Sequence, residues 1–93
     1  MELQELRREI DQIDDQLIRL FLQRMDVAEQ IADYKKMHDL PVFVPSREQE
    51  KLSDLEIKAG TAMAGYIREL YLKIFELSRS HQATRNSDGE NTL

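Results

Sequence analysis

The chain has 93 residues, of which 41% are hydrophobic and 33% charged, and its formal net charge at pH 7 is −5. This length fits one small domain, and the acidic balance argues against a nucleic-acid-binding protein, because such proteins usually carry a basic surplus. Cysteine is absent, which excludes disulfides and thiolate metal sites; neither a signal peptide nor a membrane-spanning stretch is evident, so we expect a cytoplasmic protein.

The first predicted element is a long helix from about Glu2 to Met37, a segment without Pro or Gly. Its apolar residues recur every three or four positions, the period of one helix face: Leu3, Leu6, Ile10, Ile13, Leu17, Leu20, Val27, Ile31 and Tyr34. A helix of this length extends about 50 Å, which is farther than a domain of this size is wide. We therefore expect two copies of the chain to pack their long helices side by side, although a plain coiled coil would fit the same spacing.

Two prolines, Pro41 and Pro45, follow the first helix and predict an extended connector, because proline interrupts helices and restricts the residue before it. Ser46 and Gln49 then match the capping-box pattern, in which two side chains at a helix start bond to each other's main-chain N–H groups. We therefore expect a second helix with Ser46 as its N-cap, running to about residue 59. Gly60 ends it, as glycine commonly does just past a helix.

A third helix is predicted from about Ala62 to Gln82. Its apolar stripe recurs at helical spacing and consists of Ile67, Leu70, Tyr71, Ile74 and Leu77. The segment from residue 84 to 93 is polar, contains a glycine and has no helical period, so we expect a disordered C-terminal tail. The sequence thus predicts one all-α domain at residues 1 to 83, built from a long, a short and a medium helix.

Arg24 stands where the apolar stripe of the first helix predicts another apolar residue, between Leu20 and Val27. Lys35 follows eleven residues later, about 20° away around the helix and about 16 Å along its axis. Two cations directed toward a buried surface cost free energy unless an anion meets them. The pattern therefore indicates a pocket for a small acid between these two side chains.

Four polar residues of the other two helices are candidates for the same pocket. Arg47 and Glu48 lie in the first turn of the second helix, where free main-chain N–H groups favour anions. Ser78 and Gln82 continue the apolar stripe of the third helix at a spacing of four residues. Arg7 lies about 100° around the first helix from the pocket side, so we expect it to reach such a pocket only in a second chain.

Most of these residues also have a purely structural interpretation. Arg7 fits a solvated surface cation, and Lys35 fits a cation that complements the dipole at a helix end. Glu48 is expected in a first helical turn from the dipole alone, while Ser78 and Gln82 fit the fraying end of a helix. No metal-ligand cluster, Gly-rich phosphate loop or Ser/His/Asp arrangement is present, so we expect chemistry that needs no metal and no nucleophile.

These residues and their order resemble the all-α chorismate mutases. The resemblance rests on the run LRREIDQID at residues 6 to 14 and on later residues in the family's order: Leu17, Arg24, Lys35, Pro41, Arg47, Glu48, Ser78 and Gln82. It covers about residues 3 to 83, nearly everything except the tail. Single pieces such as the IDQID stretch are moderately specific, whereas the full set in this order is strongly specific.

The resemblance implies an isomerase that rearranges chorismate to prephenate, a step in the biosynthesis of the aromatic amino acids Phe and Tyr. It implies an intertwined all-helical homodimer with two active sites, each built from residues of both chains. It also implies chorismate as the small-molecule substrate and no cofactor.

The resemblance also implies which residues hold the carboxylates of the substrate. Arg24 would bind one carboxylate together with Arg7 of the partner subunit. Arg47 would lie against the substrate ring and the second carboxylate. Ser78 would donate a hydrogen bond to a carboxylate.

Four residues would surround the ether oxygen and the ring hydroxyl. Lys35 would donate to the ether oxygen and a carboxylate, and Gln82 would donate to the ether oxygen. Glu48 would accept a hydrogen bond from the ring hydroxyl. Val44 departs from the family pattern, since a relative has Asp at this position; a contact made through the main-chain N–H would survive the change, whereas one made through the side chain would be lost.

Two other functions fit parts of the sequence. One is a lyase on the same scaffold that removes pyruvate from isochorismate, against which Glu48 counts because lyases of this fold lack a carboxylate there. The other is a non-catalytic helical dimerisation module whose cations pair with acidic residues. Such a module needs only the apolar stripe and does not explain the joint occurrence of Arg24, Lys35, Arg47 and Gln82. The domain fits a free-standing enzyme as well as a piece of a larger protein.

Overall fold

The structure is a computed structural model that describes residues 2 to 91, with side chains described through residue 84. Its elements in chain order are α1 (Leu3–Met37), α2 (Pro45–Ala59) and α3 (Ala64–Asn91). They contain 35, 15 and 28 residues. The prediction of an all-α fold with a long, a short and a medium helix is confirmed for the described part of the chain.

The end of α1 is closed by a Schellman motif, in which the residue after the helix adopts a left-handed conformation. Asp39 has a φ of 54°. The Leu40 N–H donates to the Lys35 carbonyl at 2.8 Å, and the Asp39 N–H donates to the Lys36 carbonyl at 3.3 Å. Pro41 follows and cannot continue the helix. The motif turns the chain sharply into the connector and holds the main chain of Lys35 in the last helical turn.

The start of α2 differs from the prediction. Its N-cap is Val44, without a side-chain capping bond, and Pro45 is the first helical residue. The expected capping box at Ser46 is wrong, because proline has a φ already suited to the first turn and no N–H that needs a partner there. The helix therefore starts two residues earlier, with its N-cap at Val44 instead of Ser46. At the other end Gly60 has a φ of 84° and terminates the helix as predicted.

The limits of α3 also differ from those predicted. The helix begins at Ala64, after a turn at residues 61 to 63, and it continues to Asn91 instead of ending near Gln82. No proline follows residue 82, so nothing in this segment forbids helical geometry. The expected disorder of the tail at residues 84 to 93 stays a prediction, and residues 92 and 93 lie outside the described residues. The domain boundary at residue 83 stays a prediction.

The three helices meet in a small core formed by Ala28, Ala32, Leu52 and Phe75. Hydrogen bonds join residues 24 and 28 of α1 to residues 78 and 82 of α3, so these two helices run in the same direction. Ion pairs join residues 48 and 56 of α2 to residues 79 and 68 of α3, so these two run antiparallel. Alanines on α1 allow close approach of α3, because interaxial distance follows side-chain size at the contact.

The side chains in the N-terminal half of α1 are exposed in the single chain. Residues 2 to 20 are all exposed, including the apolar side chains of Ile10, Ile13 and Leu17. The single chain thus leaves the first half of the predicted stripe exposed, although Leu17 and Leu20 border a pocket that they share with side chains of α3. None of the helices in the described residues combines the length and the apolarity needed to span a membrane.

Candidate functional site

The three helices and the connector enclose an open cleft of about 220 Å³. Seven of the eight residues predicted for the site line this cleft: Arg24, Lys35, Val44, Arg47, Glu48, Ser78 and Gln82. The eighth, Arg7, lies on the exposed half of α1, about 25 Å along the helix axis from the arginine of the cleft. The fold therefore brings together every predicted site residue except the one expected to act from a second chain.

Arg24 lies half-buried against α3. Its Nη1 donates to the Oγ of Ser78 at 3.2 Å, and Ser78 is buried, with 8% of the residue exposed. The guanidinium carbon lies 5.8 Å from the ring centre of Tyr71 and 5.6 Å from that of Phe75. Aromatic faces attract cations and lower the cost of this position. None of the contacts described for Arg24 within residues 2 to 84 involves a carboxylate, so its charge is available to an anionic ligand.

Lys35 and Gln82 direct their nitrogen atoms along the walls of the cleft. Lys35 Nζ donates to the main-chain oxygen of Val42 at 3.3 Å. Gln82 Nε2 donates to the main-chain oxygen of Ala28 at 2.8 Å. An ammonium has three donors and an amide nitrogen has two, so each group keeps donor capacity for a ligand. Both side chains are oriented by a main-chain acceptor before any ligand arrives.

Glu48 is held by a residue that the sequence analysis did not identify. Arg79 Nη1 donates to both carboxylate oxygens of Glu48, at 2.5 and 2.7 Å. The guanidinium carbon of Arg79 also lies 4.9 Å from the ring centre of Phe43 in the connector. The only signal in the sequence is that Arg79 lies between Ser78 and Gln82, about 60° around the helix from the latter. Its pairing depends on the register of α2 against α3.

A contact between His81 and Glu29 joins α3 to α1 beside the cleft. His81 Nε2 contacts the carboxylate of Glu29. His81 directly precedes Gln82, and Glu29 directly follows Ala28.

Arg47 is largely exposed, with 65% of its side chain accessible, and its Nη1 lies 3.9 Å from Glu50. The side chain of Arg47 is therefore free to reorient over the mouth of the cleft.

The cleft is strongly cationic although the chain is acidic. Five cationic side chains line it, and they are Arg24, Lys35, Arg47, Lys51 and Arg79. Glu48 is the one carboxylate among its described lining residues. Converging cations in a low-dielectric cleft raise the local concentration of an anion. The arrangement offers several cations to a small anionic molecule, and the pocket for a small acid inferred from Arg24 and Lys35 stays a prediction.

The described residues contain no group of three or more His, Asp or Glu side chains that could hold a metal ion. The side chains that line the cleft supply charge complementarity, hydrogen-bond donation and restriction of shape. These three effects suit a reaction whose bonds rearrange inside one bound molecule.

Residues 6 to 83 match the family model described as chorismate mutase type II. The chain belongs to this family. The match confirms the resemblance inferred from the sequence, over almost the same residues. A chorismate mutase domain of this type is all-α, in agreement with the three helices observed. No solved structure matches the chain.

Several curated proteins are similar to this chorismate mutase domain. The bifunctional chorismate mutase/prephenate dehydratase of Aquifex aeolicus is 47% identical over 49 residues, which are 53% of this chain and 14% of that protein. The T-protein of Haemophilus influenzae is 34% identical over 92 residues, which are 98% of this chain and 24% of that protein. The chorismate mutase of Methanocaldococcus jannaschii is 34% identical over 47 residues, 50% of this chain and 48% of that protein. The chain thus spans a quarter or less of the length of the first two of these relatives.

Proposed function

We propose that this chain is a chorismate mutase that rearranges chorismate to prephenate in the biosynthesis of Phe and Tyr. The observation that carries the proposal is the half-buried Arg24, whose described contacts include no carboxylate, in a cleft lined by four other cations. Chorismate is a small dianion, and the cleft offers cations at both ends. Membership of the chorismate mutase type II family supports the same reaction.

Binding would fold the flexible substrate into its compact reactive shape. Arg24 and the hydroxyl of Ser78 hold one carboxylate, because they already contact each other at 3.2 Å and face the cleft together. Arg47 closes over the second carboxylate from the mouth of the cleft. Fixing both ends of one molecule lowers the entropic part of the barrier without a covalent step.

The bond that breaks in this rearrangement is the C–O bond of an ether, and negative charge grows on its oxygen in the transition state. Lys35 and Gln82 donate hydrogen bonds to this oxygen, and Lys35 also donates to a carboxylate. Donors that are oriented in advance stabilise such charge most strongly, and both side chains are oriented by main-chain oxygens. Glu48 accepts a hydrogen bond from the ring hydroxyl, and Val44 contributes only its main chain there.

The working enzyme is proposed to be a cytoplasmic homodimer in which Arg7 of the partner subunit joins Arg24. The support is the N-terminal half of α1, whose apolar side chains are exposed in the single chain. Burying them against a second α1 would remove this apolar surface from water. The same packing would carry the partner's Arg7 toward the cleft.

The function is tested by incubating the purified chain with chorismate or with isochorismate, measuring depletion of each substrate and identifying the products. We expect chorismate to be consumed and prephenate to form. Release of pyruvate and salicylate from isochorismate would instead show the lyase reaction. Turnover of neither substrate would contradict both enzyme functions and leave a dimerisation module. A chain with Arg24→Ala serves as the inactive control.

The shared site is tested by mixing two inactive variants. Arg7→Ala and Arg24→Ala each damage both sites of a homodimer. A heterodimer of the two variants contains one intact site and one doubly damaged site. With random exchange of chains in a 1:1 mixture, half of the dimers are mixed, so we expect about a quarter of the unmodified activity. No recovery in a mixture whose heterodimers are demonstrated by native mass spectrometry would contradict a site built from two chains.

A further inference from the structure

Arg79 links three parts of the cleft wall. It belongs to α3, it donates from one nitrogen to both oxygens of Glu48 on α2, at 2.5 and 2.7 Å, and its guanidinium lies 4.9 Å from the ring of Phe43 in the connector. We infer that Arg79 is a positioning residue for the reaction, which orients the carboxylate of Glu48 and offsets its charge beside a dianionic substrate. The inference rests on the proposed function.

The carboxylate of Glu48 needs such a restraint. Its side chain has three rotatable bonds, and it is 28% exposed at the cleft. Lys51 follows three residues later on the same helix and also lines the cleft, and side chains at this spacing are neighbours. Without Arg79 the carboxylate can turn along α2 toward Lys51. Donation from one nitrogen to both oxygens prevents this turn and leaves lone pairs on each oxygen for a substrate hydroxyl.

The charge of Glu48 is a second reason why its carboxylate needs Arg79. It is the one carboxylate among the described lining residues of the cleft, and it repels a dianion that binds beside it. A guanidinium in contact with both oxygens compensates this charge locally. The aromatic ring of Phe43, whose centre lies 4.9 Å from the guanidinium carbon, also stabilises this cation. The Arg79–Glu48 pair thus offers a hydrogen-bond acceptor to a substrate hydroxyl, while the net charge of the pair stays low.

The chain offers a matched control for the contribution of this ion pair to packing. Arg68 of α3 donates to Glu56 of α2 at 2.9 Å, so it also joins these two helices by an arginine–glutamate pair. Arg68 does not line the cleft. If the arginines affected activity only through helix packing, removal of either one should lower it. If Arg79 acts through Glu48, only removal of Arg79 should lower activity.

The test is a double-mutant cycle on the full chain, with chorismate as substrate and kcat and KM measured separately. Arg79→Met keeps most of the side-chain volume against the ring of Phe43 and removes the charge. We expect kcat/KM to fall about tenfold, the range typical for coupled side chains in contact. In a Glu48→Ala background the same replacement should change kcat/KM by less than about twofold, because the group that it orients is gone. Arg79→Lys should restore part of the loss, and Arg68→Met should leave kcat/KM unchanged.

Three results would overturn the inference. Unchanged kcat/KM in Arg79→Met would show that Glu48 needs no restraint. An equal loss in the presence and absence of the Glu48 carboxylate would show that Arg79 acts on the substrate by itself. A loss in Arg68→Met as large as that in Arg79→Met would assign the effect to helix packing. If Arg79→Met fails to fold by circular dichroism, the same cycle is run with Arg79→Lys. An unmodified chain that does not turn over chorismate contradicts the proposed function as well, whereas an active chain with an indifferent Arg79 contradicts the inference alone.

Discussion

Lys35→Ala lowers kcat/KM for chorismate by about 10³-fold or more, the largest effect expected for a single replacement in this cleft. Removing one preoriented donor from a developing negative charge typically costs about 10² to 10³ in rate, and Lys35 would in addition lose its charge to a substrate carboxylate. Its Nζ is oriented by the oxygen of Val42 at 3.3 Å, and its main chain is held by the Schellman motif at the end of α1. Steady-state kinetics at saturating and limiting chorismate measure the loss.

Lys36→Ala is the matched control for this replacement. The neighbouring lysine is exposed and does not line the cleft, and its only described role in the turn is a main-chain carbonyl, which alanine keeps. We expect Lys36→Ala to retain the kcat/KM of the unmodified chain. Normal turnover by Lys35→Ala, with helix content unchanged by circular dichroism, would show that the ether oxygen is not bound at this lysine.

Gln82→Ala is expected to lower kcat by about 10²-fold with a small change in KM. The amide would donate mainly to the charge that develops on the ether oxygen, and a contact made only in the transition state affects kcat and kcat/KM alike. The replacement also removes the hydrogen bond from Gln82 to the main-chain oxygen of Ala28. That loss should reduce the free energy of unfolding by only about 1 kcal/mol, which urea denaturation measures.

Gln30→Ala provides the comparison, because Gln30 also donates one hydrogen bond, to Asp26 at 2.9 Å, on an exposed face of α1. We expect this variant to keep the activity of the unmodified chain. Two outcomes would contradict the role of Gln82. One is an unchanged kcat in Gln82→Ala. The other is a loss that appears entirely in KM, which would make the amide a binding group for the ground state.

The helices were largely predictable because they depend on local spacing. The extent of α1 was predicted from its three-to-four period and from the absence of Pro and Gly before the connector. Gly60 marked the end of α2 as expected. The errors fall where local chemistry offers two solutions. Pro45 at the first helical position replaced the capping box at Ser46, because a pre-set φ serves a helix start as well as a capping side chain does.

The core was harder to predict than the helices. Large apolar side chains of α1 such as Ile13 and Leu17 marked the stripe in the sequence, yet they are exposed in the single chain. The residues of α1 that are buried are Ala28 and Ala32. Periodicity shows which side chains share a face, but it does not show which part of a long helix its own chain covers. The small side chains of Ala28 and Ala32 decided which part of α1 its own chain covers, because they allow the closest approach of α3.

The sequence by itself determined the family, the three helices and the identity of seven residues that line the cleft, since residue type and spacing along a helix encode which side chains share a face. Only the tertiary structure decided the partners within the cleft. Arg24 meets Ser78 across 54 positions of the chain, and Arg79 meets Glu48 across 31. Such pairs depend on the register in which α3 packs against the other two helices. Packing sets that register, and the periodicity of each helix alone carries no information about it.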